Sequence, residues 1–205
     1  MIRGGDDPEG VHDVRVACRR LRVGLDIAGV QVLGDDLRRL SKALGPLRDL
    51  DVLLETRGIP VGLRKWAEPR RSALQSEAIA LVDDVGFHGI VQALRNLPSP
   101  GAKDAKRALP GHERKVMKAA RRFDGADFPT SRGGSEPMDL GSLLEAPAVV
   151  FGHALRRRLR KLRFAREWAR RGTRKLVKAQ DGFGVLSDQT LLVRCALLWR
   201  ADGGE

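Results

Sequence analysis

An eleven-residue pattern occurs twice in this chain, as His12-Asp13-Val14-Arg15-Val16-Ala17-Cys18-Arg19-Arg20-Leu21-Arg22 and as His153-Ala154-Leu155-Arg156-Arg157-Arg158-Leu159-Arg160-Lys161-Leu162-Arg163. In both copies a His is followed by basic residues at +3, +7, +8 and +10 and by Leu at +9. On an α-helix, at about 100° per residue, positions 0, +3, +7 and +10 fall within an arc of roughly 80°. Each copy therefore places one His and three Arg on a stripe about 15 Å long. Two copies separated by 141 residues point to a duplicated helical unit.

Such a stripe works against an isolated helix, because like charges at i, i+3 and i, i+4 repel by a few tenths of a kcal/mol per pair. No acid in the stripe is expected to neutralise it. Stability must come from the neighbouring arc, where Val11, Val14, Cys18, Leu21 and Leu25, and in the second copy Leu155, Leu159 and Leu162, form an apolar face for a core. The stripe then rides on the flank of a packed helix. A fixed row of guanidinium groups beside an imidazole suits a ligand rich in phosphate oxygens, since Arg forks pair with phosphate through two charge-assisted hydrogen bonds.

The rest of the chain predicts an all-α fold. Asp7-Pro8 starts a helix running to about 33, with Gly34 as its stop. Leu37, Leu40, Leu44, Leu47 and Leu50 continue the helical period to about Arg57, interrupted by a kink or break at Gly45-Pro46. Helices over about 61–84, 87–96 and 103–123 follow, with Pro98, Pro100 and Gly101 as a break. The Gly-, Pro- and Ser-rich stretch 124–141 reads as a linker between a first half, 8–123, and a second half, 142–200. In the second half Pro147 divides a short leading turn from the motif helix, and Gly172, Gly182 and Gly184 separate two last pieces, about 173–181 and 186–200.

The formal charge of +12 and a pI near 10.7 call for a polyanionic partner. Much of that charge is local: from His153 to Lys178 there are twelve Lys or Arg and one acid, Glu167. Cys18 and Cys195 have no metal or redox spacing and read as reduced core residues. No run of some eighteen apolar residues and no signal segment is present, which leads to the expectation of a cytoplasmic protein.

The motif residues resemble the CHAD domain family (conserved histidine α-helical domain). The resemblance rests on His12-x-x-Arg15-Val16-x-x-Arg19-Arg20-Leu21-Arg22 and on His153-x-x-Arg156 leading to Arg160-x-Leu162-Arg163. Leu44-Gly45-Pro46-Leu47-Arg48-Asp49-Leu50-Asp51-Val52 looks like the family's helix after the first motif, with Phe183-Gly184-Val185-Leu186-Ser187-Asp188 as a weaker counterpart. The resemblance covers nearly the whole chain, 1–205, as a single domain. It implies two pseudo-symmetric helical bundles whose basic helices face a shared groove or pore, binding of inorganic polyphosphate, and association with polyphosphate granules. It also implies that His12, Arg15, Arg19 and Arg22, with His153, Arg156, Arg160 and Arg163, hold the anion, Arg20 and Lys161 contributing from the side. Because the family usually supplies a helix before the first motif, either a homo-oligomer covering an apolar face or a misplaced start codon is expected.

An imidazole among three Arg should be disfavoured from charging, and bound phosphate should reverse that bias. Asp49 and Asp188 occupy matched places and either orient motif arginines or lie on exposed helix surface. No Walker loop, dinucleotide fingerprint, His-Glu-x-x-His or informative Cys-His spacing is present, so neither catalysis nor a metal or cofactor is expected. The alternative function is non-specific nucleic-acid binding, with nucleic acid at least a competitor ligand. Against it, no aromatic residues alternate with the stripes to stack bases. A membrane-surface helix is the weakest reading, because the duplication gives it no explanation.

Overall fold

The computed structural model of the chain describes residues 8–126 and 140–204, and among these every regular element is an α-helix. The helices fall into two compact units divided after Gly101.

The first unit holds α1 (Pro8–Ala28), α2 (Val32–Ala43), α3 (Gly45–Glu55), α4 (Val61–Asp83) and α5 (Val85–Asn96). Val11, Cys18 and Leu25, spaced by seven, form the buried edge of α1, and Val14 and Leu21 pack half-buried beside them. They meet Leu37 and Leu40 of α2, Leu44, and Leu47 of α3. Full burial of each such side chain is worth about 1.5–3 kcal/mol, which offsets the self-repulsion of the stripe. The first helix ends at Ala28, earlier than Gly34, because Gly29 takes φ +72° and Val30 N–H closes back on the Leu25 carbonyl at 3.0 Å. Leu44 separates α2 from α3, so the Gly45-Pro46 pair starts a new helix rather than kinking an old one.

The second unit holds α6 (Ala102–Asp124), α7 (Leu140–Glu145), α8 (Pro147–Trp168) and α9 (Arg174–Ala201). Its core is built by Leu155, Leu159, Leu162 and Phe164 of α8, with Phe164 only 1 % exposed. Two sequence expectations are corrected here. The sequence places the helix over 103–123 in the first half, but α6 packs along α8 and belongs to the second unit, so the division falls at the Pro98-Pro100-Gly101 break. Most of the expected linker, 124–141, lies outside the described residues. The glycines at 182 and 184 do not break the last helix, since α9 runs unbroken through both. Each glycine costs about 1 kcal/mol of helix propensity, which packing of α9 on α8 can outweigh.

Gly152, directly before the second motif His, has a packing role. A Cβ there would lie 2.8 Å from Leu186 Cδ2 and 3.3 Å from Phe123 Cε2, so glycine lets α8 approach α9 and α6 closely. Phe123 also meets Phe183 edge-to-face at 5.3 Å, tying α6 to α9. Both cysteines are buried and free. No helix of the described residues is long and apolar enough to cross a membrane.

Candidate anion-binding site

In the first unit, α1 carries His12, Arg15, Arg19 and Arg22 half-buried along one flank, with Arg20 exposed to the side. Arg15 is anchored: its Nη1 donates to the carbonyls of Leu44 at 3.0 Å and Gly45 at 2.8 Å. Two of its five donors are thereby committed to the junction between α2 and α3. A Cβ on Gly45 would make only an ordinary van der Waals contact with Arg15 Nη1, at 3.6 Å. Burial lowers the pKa of Arg15, while Asp49 acts in the opposite sense and Arg48 adds to the lowering. Asp49 is thus electrostatically coupled to the motif arginine.

His12 is pushed below the ordinary imidazole value, first by burial and then by Arg48 and Arg19, with Glu9 and Asp13 opposing. Arg48 is a site residue that the motif alone does not single out. It stands on α3 three residues after Gly45, its side chain 17 % exposed, and pairs with Glu55 at 3.3 Å. Its signal in the sequence was its place in the Gly45-Pro46-Leu47-Arg48-Asp49 segment.

In the second unit, α8 carries His153, Arg156, Arg160, Lys161 and Arg163, all half-buried. The imidazole is held from α9: Nε2 lies 3.1 Å from Thr190 Oγ1, and Nδ1 lies 3.4 Å from Ser187 Oγ. Thr190 Oγ1 also donates to the Leu186 carbonyl at 2.6 Å and Ser187 Oγ to the Phe183 carbonyl at 3.1 Å, so each hydroxyl oxygen faces the imidazole with its own proton directed to the backbone of α9. His153 is pushed below its ordinary value by burial and then by Arg156, Arg157 and Arg194. Burial, rather than the arginines anticipated from the sequence, is thus the larger cause at both histidines.

The two units repeat a local relationship. Ser187 follows Gly184 by three residues, as Arg48 follows Gly45, and both act on the motif His of their own unit. Arg156 lies near Gly184, where a Cβ would stand 3.9 Å from Arg156 Nη2. Asp188, the partner position of Asp49, is exposed, in keeping with its surface reading.

The stripe is not wholly unopposed. Arg163 Nε lies 3.4 Å from Glu167 Oε1, one helical turn on, so the sequence expectation that no acid neutralises the stripe fails at its last position. Asp51, 2 % exposed, pairs with Arg71 Nε at 2.7 Å and so ties α3 to α4. No group of three or more His, Cys, Asp or Glu able to hold a metal occurs among the described residues.

A family model described as the CHAD domain matches residues 1–195. Among solved structures, the chain is similar to the CHAD domain from the plant Ricinus communis, with 22 % identity, coverage of 93 % of this chain and 68 % of that one, and a TM-score of 0.59. At that identity the likeness speaks for the fold. No curated protein matches the sequence.

Proposed function

Because the chain belongs to the CHAD domain family, we propose that it binds inorganic polyphosphate without turning it over, using the His/Arg helices α1 and α8. The observation that carries this reading is the same in both units: a half-buried imidazole lies among arginines whose charge, with burial, biases it toward the neutral form. An incoming phosphate relieves that bias and gains charge-assisted hydrogen bonds from arginines held on packed helices. Arg15, Arg19 and Arg22 on α1, and Arg156, Arg160 and Arg163 on α8, supply the contacts, Arg15 being shared with the Leu44 and Gly45 carbonyls and Arg163 with Glu167.

Two such stripes on one polypeptide favour a long polymer over short phosphates, since the second contact forms at high effective concentration. The same preference would bring the protein to polyphosphate granules. The test is binding of long-chain polyphosphate at about 0.15 M salt, with duplex DNA as competitor at equal phosphate, for the wild type and for Arg19→Ala with Arg160→Ala. Strong preference for polyphosphate, falling by about a hundredfold in the double variant, is expected from the loss of two charged contacts. Equal competition by DNA, or indifference to the substitutions, would overturn the reading in favour of a generic basic surface.

A further inference from the structure

The face of α8 away from the stripe borders a second cationic groove. Arg158 lies five residues after His153, about 140° round the helix, and so belongs to a different surface from His153, Arg156 and Arg160. Opposite it α6 presents Lys115, Lys118 and Arg122, at i, i+3 and i+7, one cation per turn over about 10 Å of axis. Between the helices is a groove of about 310 Å³, lined besides these cations by Ala119, Ala154 and Phe151. The two alanines keep the space open where longer side chains would fill it.

The charge balance in this groove is one-sided. Lys115, Lys118, Arg122 and Arg158 pair with no carboxylate among the described residues. Glu113, five residues before Lys118 on the same helix, sits 3.8 Å from Arg166 Nη2 and is thereby engaged elsewhere. Four like charges around one concavity repel each other at i, i+3 and i, i+4 and across the helices, a cost that persists unless an anion enters. The row of three cations on α6, faced by a guanidinium, matches a short run of phosphoryl groups better than a single compact anion.

We propose that the α6–α8 groove is a second anion site, separate from the His/Arg stripes, which takes an oligophosphate of about three phosphoryl groups. Lys115, Lys118 and Arg122 line one edge of the bound chain, and Arg158 clasps it from α8. The site rests on the packing of the second unit alone and does not depend on polyphosphate binding at the stripes.

The experiment uses the full chain and inorganic tripolyphosphate, titrated by calorimetry at low salt. In the Arg19→Ala with Arg160→Ala background, one tripolyphosphate should still bind, and adding Lys118→Ala with Arg158→Ala should weaken it by about a hundredfold, tenfold for each charged contact removed. Both residues are exposed, so these substitutions leave the core intact, and Lys118→Arg with Arg158→Lys should retain most of the binding. ATP in place of tripolyphosphate identifies the source: equal or weaker binding marks an inorganic chain, and tighter binding marks a nucleotide whose base gains contact near Phe151. If the stripe substitutions change nothing, the groove substitutions in the otherwise wild-type chain still remove one binding equivalent, so the two proposals fail separately. Absence of tripolyphosphate binding in the stripe-silenced chain, or binding indifferent to Lys118 and Arg158, would overturn the groove site.

Discussion

Arg15 of the first motif reaches from α1 to Gly45, donating to its carbonyl at 2.8 Å and to that of Leu44 at 3.0 Å. A residue that sequence pattern places in an anion-binding row is thus also a brace across the α2–α3 junction. Hydrogen bonds from a charged donor are worth about 1.5–3 kcal/mol each when a partner is deleted. Because Arg15 is only half-buried, we expect Arg15→Ala to destabilise the chain by about 2 kcal/mol in urea unfolding. Arg15→Lys should recover only part of this, since an ammonium lacks the planar fork. Unfolding midpoints equal to wild type for Arg15→Ala would show that the brace contributes nothing.

The glycines beside the second motif should separate in their response to alanine. Gly152→Ala puts a methyl 2.8 Å from Leu186 Cδ2 and 3.3 Å from Phe123 Cε2, and overpacking of this kind costs about 1–3 kcal/mol. The lower end is expected, because the nearest atom is the tip of a flexible leucine. Gly184→Ala meets only Arg156 Nη2, at 3.9 Å, and gains up to about 1 kcal/mol of helix propensity. Thermal unfolding should therefore place the two variants on opposite sides of the wild type.

Protons report on both histidines. Their folded pKa values are lowered, whereas an unfolded imidazole titrates near about 6.5. Between those values the unfolded chain holds more protons, so the histidine contribution to stability is present in full above about 6.5 and is lost as pH falls from there toward the folded values. Replacing both, as His12→Gln with His153→Gln, should flatten that slope in urea titrations across the window.

Polyphosphate should act in the opposite sense on the same groups, raising their pKa and taking up protons on binding near neutral pH. Calorimetry in two buffers of different ionisation enthalpy reads this directly. Binding should weaken as pH rises above neutrality, and zero proton uptake at pH near 7 would assign the two imidazoles a purely structural role.

Asp51 and Arg71 form an asymmetric pair, the carboxylate side chain 1 % exposed and the guanidinium 19 %. Burial raises the Asp51 pKa, and Arg71 opposes that rise. Arg71→Ala leaves a buried charge uncompensated, which typically costs about 3–5 kcal/mol, whereas Asp51→Asn leaves an arginine that can turn to solvent and should cost less. The Arg71→Ala deficit relative to wild type should shrink as pH falls, because protonation removes the stranded charge, and a deficit constant from neutral to acid pH would contradict this account.

Much of this architecture is legible in one dimension because helical period and helix punctuation are local. The break before Gly45-Pro46, the start at Pro147 and the buried edge Val11-Cys18-Leu25 all follow from spacing and backbone stereochemistry. The last helix was misread for the same reason: Gly182 and Gly184 are locally unfavourable, and only packing against α8 reveals why α9 continues through them. Thr190 is invisible as a site residue because nothing near it in sequence says which imidazole it will meet, and Arg48 is signalled only by its place in the Gly45-Pro46 segment.

By itself, then, the sequence determined the all-α class, the paired His/Arg stripes and the excess of positive charge, since each depends on residue type and spacing alone. Tertiary structure decided that Arg15 braces the α2–α3 junction, that α6 joins the second unit, and that Lys115, Lys118, Arg122 and Arg158 surround one groove. Those outcomes depend on which helix faces approach one another. That choice is made by summed burial and hydrogen bonding over distant residues, and it leaves no trace in the spacing within any single helix.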